Sequence, residues 1–511
     1  MAAVVLLAGG CGSDLPDDDA RELRVAIGSD LRSSEPGVNR DAVSDEILNH
    51  VVEGLVAYRE DMTVGLALAE RIDLSADRRS YSFHLRPGVV FHNGEPVTAR
   101  EAKWSLERAF HPGSKFSCSY WFDGSQGHRI VGIEAPDRLT LRVNLDRPDA
   151  MFLTKLANHQ CLVGIMHPAS VARDGSWAGP VGTGPFRLAG HRRGEYVMLE
   201  RFAAYRPRPE ARNGYAGARR ALVDRIRWQV IPDPASARAA LVAGEVDIVG
   251  NVDVGAVDEL KVQRGIHVVS VPGYDWTALL MRSRSGLLAD RNLRLAIAHA
   301  IDYRGLAKAA SFGLSKANPS IVPLDSPDWL PGHAAGYVFD PALARRYLVR
   351  SAYRGEPLVI ETSRAFPMLF DNAVYIQSML QNVGIDARIE ATEWTGMMSR
   401  YLAGDFSLMT MQFSGRPDPV LGYRVILGDF DRDAWVQWQS DAAASLLETA
   451  AGEQEPGERR AVFVDVHRAM IRDVPILQLY NIPVVNAYRT DLRGVQPWGL
   501  NKLRLWGVAR Q

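Results

Sequence analysis

Cysteine is scarce in this sequence. Only three occur among 511 residues, namely Cys11, Cys118 and Cys161. No two of them have the Cys-x-x-Cys spacing of a thiolate zinc site or of a thioredoxin-type redox motif, so neither kind of site is supported.

Long hydrophobic runs are missing too. The one continuous apolar run long enough to be considered for membrane insertion extends from Ala2 to Gly10. A membrane-spanning helix needs about 20 apolar residues. We therefore expect no transmembrane domain.

Neither sign of charge is in excess. The chain has 59 Lys and Arg against 60 Asp and Glu, a net charge of −1. It has no long basic block that could displace counterions from a phosphate backbone. Nucleic acid is therefore not an expected partner.

Local catalytic motifs are also missing. The sequence has no Gly-x-Ser-x-Gly elbow, no Gly-Lys-Ser/Thr phosphate loop and no His-Glu-x-x-His pair. The fragment Gly182-Thr183-Gly184 is followed by Pro185, which suits a turn better than a phosphate cradle. The 12 histidines form no local cluster and are interpreted as structural or surface residues. We expect a protein that is not an enzyme and that has no metal site and no cofactor.

What is present is the pattern of an α/β protein. The length, with 47% hydrophobic and 23% charged residues, predicts two or three lobes. Strand, helix, glycine stop and strand follow one another in residues 225–249 and again in 358–391, which indicates two βαβ units. Apolar spacing predicts a helix over residues 41–56. Alternating strands and a helix in residues 60–170 indicate a compact α+β insert.

The N-terminus resembles a bacterial lipoprotein signal. Leu7-Ala8-Gly9-Gly10 precedes Cys11, and an acidic stretch from Gly12 to Asp19 follows. In this interpretation Cys11 carries the lipid and the acidic stretch is a tether. The alternative is a buried apolar N-terminus with a core cysteine.

If Cys11 carries the lipid, Cys118 and Cys161 remain as a pair. They form one disulfide in an oxidising compartment, or they are two separate buried thiols.

A longer resemblance covers about residues 22–500. The stretch Phe83 to Glu101 (FHLRPGVVFHNGEPVTARE) resembles the signature of family-five extracytoplasmic solute-binding proteins of ABC importers, the oligopeptide, dipeptide and nickel type. Further segments occur in the family's order, namely 53–55 (EGL), 180–186 (PVGTGPF), 240–248 (ALVAGEVDI), 294–302 (RLAIAHAID) and 376–385 (IQSMLQNVGI).

This resemblance implies a periplasmic-binding-protein type II fold of the α/β class. Two lobes joined by hinge strands would close on a ligand, with an extra α+β subdomain inserted in the first lobe. Hinge crossings are expected near residues 271–276 and 476–484. The expected divisions are 1–21 (signal and tether), 22–59 (opening segment of the first lobe), 60–174 (inserted subdomain), 175–270 (continuation of the first lobe), 271–479 (second lobe) and 480–511 (return to the first lobe).

The function implied by the resemblance is capture of a small polar organic solute, peptide-like, opine-like or glycoside-like, for a membrane ABC permease. The protein would work outside the cytoplasm as a lipid-anchored monomer. Ligand contacts to both lobes would favour the closed state. The alternatives are a receptor adaptor of the same fold and a lipid-anchored hydrolase whose catalytic residues come from distant segments.

One loop is singled out by the resemblance. Peptide binders of the family often place an acidic residue after a second-lobe strand, where it pairs with the α-ammonium group of the substrate. Gly415 stands at that position here, and Arg416 beside it is expected to pair with a carboxylate or phosphate. Asp418 is either a ligand contact or part of a turn.

Four aromatic residues are candidate walls of the cleft. They stand at strand ends or at the entry to the second lobe, and such rings stack on sugars, peptides and opines. Core packing is the alternative for each. They are Tyr274, Trp276, Trp394 and Phe413.

Overall fold

The protein is described by a computed structural model that covers residues 22–39, 41–125, 127–453 and 455–511. The predicted signal and tether, with Cys11, lie outside the described residues. The strands are β1 (Glu22–Ile27), β2 (Val56–Tyr58), β3 (Val64–Leu66), β4 (Ala69–Leu74), β5 (Ser80–Leu85), β6 (Ile130–Glu134), β7 (Thr140–Leu145), β8 (Phe186–Arg192), β9 (Tyr196–Arg201), β10 (Arg225–Val230), β11 (Ile248–Val249), β12 (Ile266–Val271), β13 (Trp276–Met281), β14 (Leu358–Thr362), β15 (Ala387–Ala391), β16 (Leu408–Phe413), β17 (Ile476–Asn481), β18 (Val484–Arg489), β19 (Leu492–Arg493) and β20 (Ala509–Arg510).

The α-helices alternate with these strands in most of the chain. They are α1 (Ala42–Leu48), α2 (Ala99–Phe110), α3 (Phe152–Leu156), α4 (Pro234–Ala243), α5 (Val257–Lys261), α6 (Arg291–Ala300), α7 (Tyr303–Ala310), α8 (Pro341–Arg350), α9 (Pro367–Gln381), α10 (Trp394–Ala403), α11 (Pro419–Tyr423), α12 (Asp441–Gly452) and α13 (Pro456–Asp473).

A seven-stranded sheet forms the first lobe. Its strand order is β12-β18-β11-β1-β10-β9-β8, and β1 pairs in parallel with β10 and with β11. The predicted βαβ unit is therefore present. Its helix α4 begins where the Asp233 side chain accepts from the N–H of Ser236, and it ends at Gly244 in the left-handed region. Both features are common at helix ends.

A five-stranded sheet forms the second lobe. Its strand order is β15-β14-β16-β13-β17, with β14 parallel to β15 and to β16. The second predicted βαβ unit, β14-α9-β15, lies here. β13 is buried along its whole length, as expected for a strand covered on both faces.

A separate four-stranded sheet, β4-β5-β7-β6, lies in sequence between two segments of the first lobe. Helix α2 packs on it and starts at a capping box, in which the Thr98 N–H donates to the Glu101 carboxylate. This α+β unit falls within the residues 60–174 that were expected to form the insert.

The chain crosses between the two large sheets twice. β12 ends at Val271 in the first sheet and β13 begins at Trp276 in the second; β17 ends at Asn481 and β18 begins at Val484 back in the first. Both crossings fall within the expected hinge segments. The second sheet extends to Asn481, slightly beyond the expected division at residue 480.

The first helix is much shorter than its sequence pattern predicts. It ends at Leu48, and the prediction of helix through residue 56 is wrong. Val51 and Val52 are buried, and the Val51 carbonyl accepts from the N–H of Gly184. The apolar spacing here reflects the burial of an irregular segment against a neighbouring loop and not one face of a helix.

Candidate ligand site between the two lobes

Arg416 lies at the boundary between the lobes. It follows β16 in the second lobe, and its Nη1 donates a 2.9 Å hydrogen bond to Oε1 of Gln160, which follows α3 in the first lobe. A second contact joins the lobes nearby, between Arg459 Nη2 and Met151 Sδ at 3.1 Å. The lobes are thus in contact around the Arg416 loop.

The loop that carries Arg416 is fixed by Gly415. Its N–H donates to Oδ1 of Asp275 at 2.6 Å. A β-carbon at this position would lie 2.4 Å from Cβ of Tyr274 and 2.6 Å from its carbonyl carbon, so only glycine fits without movement. The loop that carries Arg416 is therefore held against the first crossing segment.

Two of the predicted aromatic residues form one stack. The rings of Trp276 and Phe413 pack face to face with centroids 4.3 Å apart. Trp276 is 2% exposed, whereas Phe413 is only partly buried. Phe413 can therefore present a face to a ligand, and Trp276 supports it from behind. Tyr274 is 4% exposed and packs against the glycines of the loop and of residue 499.

Trp394 begins α10 and is partly buried. Its ring meets Phe366 edge-on at 4.7 Å. Tyr401, on the same helix, lies 6.3 Å from Phe413 and 6.4 Å from Trp435. Aromatic side chains of α10 and β16 thus line one region of the second lobe, and sequence reasoning identifies only some members of this set.

Two cations act on buried groups of this boundary. Burial lowers the pKa of His159 well below its usual value, and the charges of Lys502 and Arg416 lower it further. His159 is therefore neutral at neutral pH. Burial raises the pKa of Asp275, although the Gly415 N–H, Lys502 and Arg416 oppose this effect. Lys502 and Arg416 thus act on the same buried groups from opposite lobes.

Asp418 has a structural environment. Its side chain accepts from the N–H of Val420 at 2.9 Å at the start of α11. Both carboxylate oxygens also lie 2.9 Å from Arg459 Nη2. These bonds give Asp418 the role of a helix cap and ion-pair partner, and they fit the turn alternative of the sequence analysis.

Cys118 and Cys161 are joined by a disulfide, with their Cα atoms 5.8 Å apart. The bond ties the segment around Cys118 to the loop that contains Gln160. It therefore holds the first-lobe partner of Arg416 in place. Cys11 lies outside the described residues.

Several site residues were not found from the sequence. They come from segments far apart in the chain and have no local motif, although Asp275 stands between two singled-out aromatic residues and Gln160 stands beside Cys161. They are His159, Gln160, Asp275, Phe366, Tyr401, Trp435 and Lys502.

Metal clusters and membrane-spanning helices are two further features that bear on function. Within residues 22–39, 41–125, 127–453 and 455–511, no group of three or more His, Cys, Asp or Glu is arranged to hold a metal ion. In the same ranges, none of the helices combines the length and the apolar character required to span a bilayer.

The family is established by comparison with known sequences. Residues 63–431 match the family model described as "Bacterial extracellular solute-binding proteins, family 5 Middle". This chain belongs to that family. Family 5 members are extracytoplasmic solute-binding proteins of ABC transporters and not enzymes, as the sequence had indicated.

Among family 5 relatives, the glutathione-binding protein GsiB of Pectobacterium atrosepticum is 26% identical over 377 residues, which are 73% of this chain and 70% of the relative. GsiB of Escherichia coli K12 is 24% identical over 380 residues, with the same coverage.

Solved structures confirm the type II periplasmic-binding-protein fold. DppA from Helicobacter pylori in complex with the peptide STSA has a TM-score of 0.76 at 25% identity, covering 96% of this chain and 98% of that one. NikA from Brucella suis in complex with Fe(III)-EDTA has a TM-score of 0.80 at 22% identity, covering 96% and 100%. The second likeness concerns the fold alone.

Proposed function

We propose that this protein captures a peptide-like solute with a free carboxylate between its two lobes and delivers it to a membrane ABC permease. The observation that carries the proposal is the position of Arg416. It lies at the interlobe boundary, 2.9 Å from Gln160 of the other lobe and three residues beyond the partly exposed ring of Phe413.

Arg416 suits a carboxylate for chemical reasons. A guanidinium offers a planar set of N–H donors that matches a carboxylate, and such charge-assisted bonds are stronger than neutral ones. Lys502 adds positive charge from the first lobe, and neutral His159 does not compete for the anion. A ligand carboxylate would therefore meet charges from both lobes and favour their approach.

The relatives support a peptide-like ligand. GsiB is named for glutathione, and DppA was solved with a peptide; both ligands combine amide groups with free carboxylates. An acidic side chain is also available near Gly415, since Asp275 accepts from its N–H. We propose that Asp275 balances the α-ammonium group of the ligand, in place of an acid at position 415.

The experiment is calorimetric titration of residues 22–511 with glutathione and with short peptides, each as the free acid and as the C-terminal amide. We expect the free acid to bind about tenfold or more tightly, since a charge-assisted hydrogen bond contributes about 1.5–3 kcal/mol. In Arg416→Ala this preference should disappear. Arg432→Ala, whose side chain is exposed, is the matched control. Equal binding of acid and amide by the unchanged protein would exclude the carboxylate contact.

Membrane attachment is a separate proposal. The Leu7 to Cys11 segment supports lipidation of Cys11. Expression of the full chain in a bacterium supplied with a clickable fatty acid should give a labelled protein in the membrane fraction, and Cys11→Ser should be unlabelled. A labelled Cys11→Ser variant would refute attachment at this residue.

The lobe divisions lead to a proposal about motion. We propose that the first lobe, 22–271 with 484–511, and the second lobe, 276–481, move as two bodies about the crossings. Small-angle X-ray scattering should then show a smaller radius of gyration in the presence of a saturating ligand. An unchanged radius with proven binding would argue against closure.

A further inference from the structure

A further contact between the lobes involves the turn that follows α7. Phe312 of this turn, in the second lobe, lies against Gly255 of the first lobe. A β-carbon at Gly255 would be 3.5 Å from both Cε2 and Cζ of the Phe312 ring, which is an ordinary contact distance. Leu314, two residues further on, packs against a cluster of first-lobe side chains that includes Val252 and Ala256. One turn thus places two apolar side chains on the other lobe.

The turn is fixed beside the second crossing. The N–H of Ser315 donates to Oγ of Ser311 at 2.9 Å, and Oγ of Ser315 donates to the carbonyl oxygen of Asn481 at 2.7 Å. Asn481 is the last residue of β17, where the chain leaves the second lobe. The position of Phe312 is therefore set by the end of the strand from which the crossing starts.

Phe312 has an unfavourable backbone conformation. Its φ is 51°, in the left-handed region that bulky residues rarely adopt and that costs free energy. The side chain is 64% exposed, so burial in the core of its own lobe does not offset this cost. Asparagine adopts the same conformation more readily. The phenyl ring is thus placed where it contributes to the contact between the lobes.

The first-lobe loop that meets Phe312 also faces the second lobe with a charge. The carboxylate of Asp253 accepts from the N–H of Gly255 at 2.9 Å. Partial burial raises the pKa of Asp371, on α9 of the second lobe, and the charge of Asp253 raises it further. Two like charges on opposite lobes therefore oppose the approach that the apolar contact favours.

We propose that Phe312 is a positioning residue, whose contact with Gly255 stabilises the conformation in which the two lobes meet. The repulsion between Asp253 and Asp371 opposes this conformation. The balance between the two interactions then sets the fraction of the unliganded protein that is ready to hold a ligand, and the apparent affinity changes with that fraction. The proposal rests on the lobe motion proposed above, and it involves no chemical step.

The test is an interlobe distance, measured by electron paramagnetic resonance without ligand. The full chain carries Cys11→Ser, so that spin labels attach only at Arg193→Cys and Arg388→Cys. Both positions are exposed. Arg193 lies between β8 and β9, and Arg388 lies on β15; β8 and β15 are the end strands that lie farthest from the crossings in their sheets. Closure of the lobes should therefore shorten this distance.

Phe312→Asn should lower the ratio of the shorter to the longer distance by about fourfold, the ratio that corresponds to one buried methylene group. The unfolding temperature should not fall, because asparagine relieves the backbone strain. A role in the stability of the turn alone would instead lower the unfolding temperature and leave the distances unchanged. Val349→Asn is the matched control, since Val349 is an 83% exposed apolar residue of the same lobe, and it should not change the ratio.

Two further variants should act in the opposite direction. Gly255→Ala adds a methyl group at contact distance from the Phe312 ring, and Asp371→Asn removes one of the two repelling charges. Each should raise the ratio of the shorter to the longer distance.

Distances that none of these three variants changes would overturn the proposal, and so would a shift of Phe312→Asn and Gly255→Ala in the same direction. If scattering shows closure on ligand binding while the variants leave the distances unchanged, the lobe motion stands and the role of Phe312 fails. The calorimetric comparison of acid and amide tests Arg416 independently, so none of these outcomes bears on the carboxylate contact.

Discussion

Gly415 donates its N–H to the carboxylate of Asp275 at 2.6 Å, so the loop after β16 and the crossing into β13 are bonded to each other. The same contact leaves no space for a side chain at position 415, because a β-carbon would meet Tyr274 at 2.4 Å. Gly415 stands where peptide binders of the family often have an acidic residue, and it therefore has a packing role of its own.

Replacement of this glycine tests that role. Gly415→Ala should lower the free energy of unfolding by about 1–3 kcal/mol, because overpacking forces the loop or Tyr274 to move. Thermal and urea unfolding measure the loss. Gly396→Ala is the matched control: its position lies within α10 and has no heavy atom within 4 Å, so alanine should stabilise the helix by about 0.5–1 kcal/mol. Equal effects of the two variants would contradict the packing role.

Asp418 gives a prediction that separates structure from ligand binding. Asp418→Asn keeps a side-chain oxygen for the cap of α11 but loses the charge that faces Arg459, whose side chain is 16% exposed. We expect a loss of about 2–3 kcal/mol in stability, less than for a fully buried pair, with ligand affinity unchanged.

The control for this variant is Asp465→Asn on α13, where the pair with Arg468 is exposed and the change should stay within about 0.5 kcal/mol. A strong loss of affinity in Asp418→Asn at full stability would instead make Asp418 a ligand contact.

Glu46 predicts a pH dependence of stability. Burial raises its pKa to about 7, against the opposing effects of Lys502 and of the Leu503 N–H. The folded state therefore binds more protons than the unfolded state between about pH 4.5 and 7. The stabilisation is fully present below pH 4.5 and is lost as the pH rises through 7.

Glu46→Gln removes this contribution but keeps an oxygen that accepts from Leu503 N, 2.6 Å away in the native protein. Relative to the variant, the native protein should lose up to about 3 kcal/mol between pH 4.5 and 8. Urea unfolding at several pH values measures the difference. Glu393→Gln, at an exposed residue, serves as control. A stability difference that does not vary with pH would contradict the prediction.

The disulfide predicts a link between stability and the interlobe contact. Cys118 and Cys161 are 43 residues apart in the chain, and closure of a loop of that length is worth about 4 kcal/mol in the chain-entropy estimate. The double variant Cys118→Ala, Cys161→Ala should therefore lose about 4 kcal/mol in its free energy of unfolding. It should also bind the ligand more weakly, because Gln160, the partner of Arg416, adjoins Cys161. Unchanged stability would show that the bond does not constrain the unfolded chain.

The sequence predicted those regions of the fold that have local signals. The unit β10-α4-β11 was marked by Asp233 at its helix start and Gly244 at its helix end, and both residues act as expected. The prediction of a helix over residues 41–56 was wrong because Val51 and Val52 are buried by a loop that is distant in sequence. The spacing of apolar residues cannot distinguish this kind of burial from the buried face of a helix.

The candidate site was only partly predictable for the same physical reason. Arg416 was found because the family resemblance singled out its loop, and Phe413 because it was expected at a strand end, where β16 does end. Gln160 and Lys502 were not found, since they reach the boundary through long-range packing. No spacing in the sequence relates positions 160, 416 and 502.

The two crossing segments are joined to each other as well as to the lobes. The Ile482 N–H donates to the Asp275 carbonyl oxygen at 2.7 Å, and a β-carbon at Gly273 would lie 2.0 Å from the Ile482 carbonyl oxygen. The two segments are therefore expected to bend together and to resist sliding past one another. We expect the lobe motion proposed above to be mainly a rotation about one axis, so that one interlobe distance, measured between two spin labels, reports how far the lobes have closed.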